Sequence, residues 1–288
     1  MNTVIGLKPT GYIRVEKWSE KRGTRQDMAF ENVVLDLGWE TLMDRMLQQR
    51  DPGPEYLYLG TGTTTPQRTD TGLEELGDIP GKRISTNHYD GNYDPPNEIY
   101  SSITYRFDYG EGEAEGVWTE LGLAFGSSYN DPYNRSLFKD DTDTPISLTV
   151  LSDEYLRIYV ELRIYWPTTE ATGTFLFNGD LVDWSAIISS AVSSDSPYGA
   201  NPWEEGLAKY GEIGENITEG VTNTTDLEAR KVTSEVILPP GETVDIERVS
   251  FNAQSNDPHI EINFTPHITK TAEEELTGSW SIQYNRAD

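Results

Sequence analysis

The stretch YLRIYVELRIYW, from Tyr155 to Trp166, decides how this chain folds. Leu156, Ile158, Val160, Leu162 and Ile164 alternate with polar or aromatic residues. That two-residue period puts every aliphatic side chain on one face of a strand, whereas a helix would scatter them around its circumference. Neighbouring segments read the same way. Strands are expected at Gly11 to Trp18 (GYIRVEKW), Tyr56 to Leu59, Ser102 to Tyr109, Val117 to Phe125 and Ile146 to Val150. Further along they are expected at Thr174 to Phe177, Lys231 to Leu238, Thr243 to Asn252, Ile260 to Phe264 and Gly278 to Tyr284. Pro239-Pro240-Gly241-Glu242 marks a turn between two of them.

Two segments read as helix. Val34, Leu37, Leu42, Met46 and Leu47 share one helical face, and Gly38 suggests a start there, so the helix runs from about Gly38 to Gln49. Asp51-Pro52-Gly53-Pro54 stops it. Trp184 to Val192 is the second, followed by a polar connection from Ser193 to Gly206. SEKRGTRQD, after Trp18, reads as a turn or mobile loop. Residues 77 to 100, rich in Gly, Pro, Asn and Asp, read as a long loop excursion of the kind that contacts something.

The second half echoes the first in four ordered blocks. Asn32 to Leu47 recurs as Phe177 to Val192, and Leu59 to Glu74 as Tyr210 to Glu228. Val117 to Phe125 recurs as Val244 to Phe251, and Ile146 to Trp166 as Ile268 to Tyr284. The expectation is a mainly β protein of two tandem β-sandwich-like modules, each with one short helix, arising by internal duplication. Residues 1–30 would be an N-terminal strand and docking arm, 31–167 the first module with its loop at 77–100, and 172–288 the second module.

Composition removes several functions. The 288 residues carry 49 Asp plus Glu against 22 Lys plus Arg, a formal net charge of −27. Nucleic acids and anionic membranes are polyanions, so neither is an expected partner. The acids are scattered rather than striped, which fits a solvated surface suited to salt water better than a mimic of DNA. There are no cysteines, hence no disulfide, thiolate chemistry or Cys-based zinc site. No apolar run reaches the length of a signal peptide or a transmembrane helix, so the expected product is made as a soluble cytosolic protein without membrane insertion. Aromatics at 11% supply area for a folded core.

Catalytic chemistry is not legible. His88, His259 and His267 have no metal-type spacing, and hydrolase, zinc-protease and nucleotide-loop signatures are absent. The loop LGTGTTT from Leu59 lacks the Lys of a phosphate site and runs into Pro66, so it reads as a tight turn. Asp140, Asp141 and Asp143 have the spacing of half a calcium loop without its Gly and terminal Glu, and read as a solvated turn, as does DGNYD at Asp90 to Asp94. Tyr89, Tyr93 and Tyr100 could stack on sugars or pin their own loop. Sequons at Asn134, Asn216, Asn223 and Asn263 are no more than a Thr-rich chain produces. No enzyme activity, cofactor, metal or catalytic residue is expected.

Four segments carry a resemblance. They are ENVVLDLGWETLMDRM (Glu31 to Met46), LGTGTTTPQRTDTGLEEL (Leu59 to Leu76), WTELGLAF (Trp118 to Phe125), and the run from Asn134 to Ile164 that begins NRSLFKDDTDTPISL. In this order they resemble tail-associated structural virion proteins of tailed bacteriophages and related archaeal viruses, over roughly residues 10 to 166. ITKTAEEEL (Ile268 to Leu276) repeats the terminal pattern. The resemblance implies a non-enzymatic virion component at the tail tip, baseplate or fibre attachment, assembled in symmetric copies with other virion proteins. Lys21, Arg22 and Arg25 would dock onto a neighbouring subunit. A capsid decoration or turret protein, and a module binding host-surface glycan, are the alternatives.

Overall fold

The computed structural model describes residues 2–47, 53–94, 97–127, 131–177, 180–188, 210–213, 221–238, 240–241, 243–252, 260–273 and 275–287. These are mainly β, with one helix among them. The N-terminal region contains β1 (Asn2–Ser19), β2 (Thr24–Val34), α1 (Asp36–Leu47), β3 (Tyr56–Gly60), β4 (Lys82–Arg83), β5 (Thr86–Asp94) and β6 (Glu98–Tyr109). It continues with β7 (Gly116–Trp118), β8 (Glu120–Ala124), β9 (Asn134–Leu137), β10 (Leu148–Val150) and β11 (Tyr155–Tyr165). The C-terminal region contains β12 (Ala171–Phe177), β13 (Asp180–Ile188), β14 (Tyr210–Ile213), β15 (Val221–Asp226), β16 (Lys231–Leu238), β17 (Val244–Asn252), β18 (Ile260–Lys270) and β19 (Leu276–Arg286).

The long strand at Tyr155 organises the rest. β11 pairs antiparallel with β1 from Lys8↔Tyr165 to Trp18↔Tyr155, and with β6 on its other edge. β5 then pairs with β6, and β2 with β1, giving the order β5-β6-β11-β1-β2. At its far end β2 pairs through Val33 and Val34 with β9, and the sheet curls on as β9-β8-β3-β4. One buried cluster joins Ile13, Phe107, Ile158 and Leu162 of the long strands with Leu57 and Leu123 of the short ones. The helix contributes Trp39, Leu42, Met43 and Met46 to that cluster.

The C-terminal region is attached through β1. Its residues Asn2 to Leu7 run parallel to Ser281–Arg286 of β19, which continues as β19-β16-β15. A separate five-stranded sheet has the order β12-β13-β18-β17-β14. Phe264 of that sheet links it to β19, its ring lying 5.9 Å from Phe175 and 6.5 Å from Trp280. Arg286 closes the junction, donating to the Val34 carbonyl at 2.8 Å and pairing with Asp36 at 3.0 Å.

Several expectations need correction. The helix at Trp39 is present but begins at Asp36, not Gly38. Gly38 serves packing instead: a Cβ there would collide with the Tyr133 backbone, so only glycine lets the first turn sit against the segment that leads into β9. Trp184 to Val192 is not a helix as far as it is described. Residues up to Ile188 belong to β13, with Val182 and Ala186 buried and Leu181 and Asp183 exposed. Apolar residues at 182, 184, 186 and 188 satisfy the strand period, and pairing with β18 settles the ambiguity. The described residues of the block echoing α1 therefore lie in strands, Phe177 in β12 and residues 180–188 in β13.

The excursion at 77–100 is largely the hairpin of β5 and β6. Residues 2–30 lie in β1 and the first part of β2, both in the main sheet, and the charged link turns tightly at residues 20–23 before β2 begins. The connection from Ser193 to Gly206, the helix residues beyond Leu47, His259 and Asn216 lie outside the described residues.

Candidate interaction surface

Alternation gives the long sheet a second face. β11 sends Tyr155, Arg157, Tyr159, Glu161, Arg163 and Tyr165 outward, because its even-numbered residues fill the core. In register beside them stand Trp18, Glu16, Arg14 and Tyr12 of β1, and Asp108, Arg106 and Tyr100 of β6. Cations lie over rings throughout. The Arg14 guanidinium sits 3.9 Å from the Tyr159 ring centre, and Arg163 lies 4.7 Å from Tyr12 and 4.5 Å from Tyr100. Arg157 approaches Trp18 at 5.4 Å, and Trp18 stacks on Tyr155 at 5.2 Å with the planes 7° apart.

Carboxylates interleave with these arginines. Glu16 faces Arg14 at 3.3 Å, Arg25 at 3.5 Å and Arg157 at 3.7 Å. Asp108 accepts from Arg157 Nε at 2.5 Å and from Arg106 Nε at 2.9 Å, while Glu161 accepts from Arg163 Nε at 2.6 Å. With Asp27 and Glu31 of β2 in register beside Glu16 and Tyr12, these five arginines meet five carboxylates, on a chain whose net charge is −27. Tyr, Trp and Arg are the residues that protein interfaces concentrate, and planar stacked guanidinium groups lose little freedom on contact.

A second feature gathers the residues that carried the family resemblance. Glu120 is wholly buried (0% exposed), and its Oε2 accepts from Arg135 Nε at 2.7 Å. Its Oε1 accepts from the backbone N–H groups of Gly62 at 3.0 Å and Glu75 at 2.9 Å, so the Gly/Thr loop is folded over it. Arg135 reaches on to Asp70 at 2.7 Å and the Thr64 carbonyl at 3.1 Å. Glu74 accepts from the Thr64 and Thr63 N–H groups at 2.7 and 2.6 Å, and these bonds hold its carboxyl below the usual range. Gly62 has to be glycine because a Cβ would strike both Glu120 and Glu74. The loop covers a buried ion pair; it runs irregularly over Glu120 rather than forming a tight turn at LGTGTTT, and turns only at residues 67–70.

The residues singled out in sequence fall as follows. Lys21 pairs with Glu111, and Arg22 pairs with Asp153 at 2.9 Å and Glu154 at 2.6 Å, so both fasten the β1–β2 turn to its own region. Arg25 belongs to the outer face. Tyr100 lies under Arg163, and Tyr89 packs on the core cluster, pinning β5. Tyr93 is placed in β5 opposite Ile99, as His88 is opposite Thr104.

Asp140 caps its own turn, accepting from Thr142 N at 2.9 Å and Thr144 N at 3.1 Å, while Asp143 pairs with Lys139 at 2.7 Å. Asn134 is buried, its Oδ1 accepting from Leu123 N at 2.7 Å. Sequence reasoning missed the grouping of His267 with Asp245 and Glu247, which only the pairing of β17 and β18 brings about. No helix among the described residues is long and apolar enough to cross a membrane. Comparison with known families, curated proteins and solved structures gives no match.

Proposed function

We propose that this chain is a structural virion protein of a tailed virus, a tail-tip, baseplate or fibre-attachment component without catalytic activity. It works by packing against copies of itself and other virion proteins. The observation that carries this reading is the neutral Tyr/Trp/Arg face on a strongly acidic body. Elsewhere like charges hold copies apart, so a contact between copies is least opposed where arginines and carboxylates already cancel. Repetition around an axis then lets modest contacts add up. The resemblance to tail-associated virion proteins supports the same reading, since its Gly/Thr, Glu-containing and Asn-Arg motifs converge on one rigid clamp rather than on a reactive cleft.

The finer architecture belongs to this proposal. The long-stranded and short-stranded parts of the curled sheet share one core and would form the layers of a sandwich. The closing blocks of the repeat, β11 and β19, both lie beside β1, but one antiparallel and the other parallel, and together with the helix-to-strand mismatch this opposes duplication. A capsid decoration or turret role would use the same face. Glycan recognition is less favoured, because arginines already cover ring faces of Tyr12, Tyr100, Tyr159 and Trp18. Electron-microscopy class averages of the concentrated protein provide the test. Closed rings of one cyclic symmetry are expected. Isolated particles at every concentration would overturn the assembly reading.

A further inference from the structure

We propose that Asp245, Glu247 and His267 form a site for a divalent transition-metal cation of the zinc class on the solvent face of the β17–β18 ribbon. The strand period places Asp245 and Glu247 on one face of β17, two residues apart. Asp245 lies opposite Thr269 and Ile246 opposite Ile268, and His267 is the next residue of β18. Between Ile246 and Arg248 the register shifts, so Glu247 sits in the irregular stretch, a device that re-aims side chains. Three donors thereby converge from two strands.

The distances suit a small cation. His267 Nδ1 is 3.1 Å from Asp245 Oδ2 and 3.9 Å from Glu247 Oε1, and all three donor atoms lie within 4.8 Å of one another. A tetrahedral zinc with ligands at about 2.0–2.1 Å separates them by roughly 3.4 Å, so a small rotation of the exposed Glu247 completes the set. Thr269 Oγ1 donates to Asp245 Oδ1 at 3.0 Å, turning the other oxygen toward His267 as an outer-shell partner does for a metal ligand. A nitrogen donor with two carboxylates favours zinc-class ions over magnesium or calcium, which select all-oxygen sets. The surrounding negative potential draws cations toward the ribbon. With three protein ligands on an exposed face, the fourth position points to solvent and is open to water or an outside carboxylate. The inference is independent of the virion reading.

Titration calorimetry of the full chain with zinc chloride tests the site, with the histidine ring signals followed by NMR. One equivalent is expected to bind while the His267 ring resonances shift. His267→Ala is expected to weaken binding at least tenfold, and Thr269→Val, which keeps every ligand, by about tenfold or more. These residues are exposed, so the variants should keep the parent circular-dichroism spectrum. Failure of the parent to bind zinc at millimolar concentration would overturn the proposal. So would binding that is undiminished in His267→Ala.

Discussion

The N-terminal and C-terminal regions use the same strand physics to different ends. In the first, long strands, a helix and a curled sheet enclose large residues such as Trp39, Phe107, Tyr133 and Phe138, and even a buried ion pair is fully hydrogen-bonded. In the second, the described core is made mainly of aliphatic residues around Phe264, Trp280 and Tyr284. Its β12–β13 hairpin exposes Leu176 (71%) and Leu181 (60%), opposite each other in register. The second region also leans on the first: β19 needs β1 as its neighbour, and Arg286 reaches the start of α1. One region holds the helix, the buried clamp and the outer Tyr/Arg face, while the other is joined to it through β19 and Arg286.

Separating the regions gives the largest expected effect. A fragment of residues 1–166 should melt cooperatively, because it loses β19 from the start of β1 and the exposed Arg230–Glu40 pair while its long sheet and helix stay whole. A fragment of residues 167–288 should show no cooperative transition, since its β15-β16-β19 sheet loses the strand that ends it. Two independent cooperative melts would break the comparison.

The next effect isolates the clamp. Arg135→Ala strands a buried carboxylate and should cost about 3–5 kcal/mol in urea denaturation. Removing Arg230, which pairs with the exposed Glu40 at 3.3 Å, should cost at most about 1 kcal/mol. Equal losses would mean that the buried pair is not what holds the Gly/Thr loop.

Acid should act mainly on the first region. Glu74 is held below its ordinary range by backbone N–H groups, Glu113 by Lys82, Glu111 by Lys21 and Asp153 by Ser19. The folded state binds fewer protons than the unfolded chain, so this stabilisation is complete above the unfolded carboxylate pKa of about 4. It is lost as pH falls through the depressed folded values. Hydrogen exchange near pH 3 should show the Gly/Thr loop and the turn at residues 151–154 opening before the β1–β11 pairing does. The reverse order would contradict the assignment.

The smallest effect sharpens the contrast at the surface. Leu176→Ser with Leu181→Ser should change stability by no more than about 0.5 kcal/mol, because both side chains already face water. A large loss in thermal melting would show that the hairpin packs against something in solution.

How much of this was readable depended on whether a residue had to bury one face. β11 was transparent because its inner face fills the core and its outer face does not. β5 was opaque, since an edge strand such as TNHYDGNYD needs no continuous apolar stripe, and its Gly and Asn imitate a loop. The segment at Trp184 failed because closely spaced apolar residues fit both periods until a partner strand chooses one. The clamp left a faint trace: Glu120 interrupts an apolar run, and Arg135 sits inside another strand. Only the fold brings them together. The outer face was half visible, as alternating Tyr and Arg in β11, but its partners on β1 and β6 lie far away in sequence.

The central claim is that copies meet through this outer face. Light scattering of the parent chain and of Arg14→Glu with Arg106→Glu tests it most directly. Arg14 is 54% exposed at its side chain, and Arg106 lies on the same face, so both reversals add repulsion without entering the core. A discrete oligomer for the parent, reduced to monomer in the variant with an unchanged circular-dichroism spectrum, is the predicted result. An oligomer of the same mass in both proteins, or a monomeric parent, would contradict it.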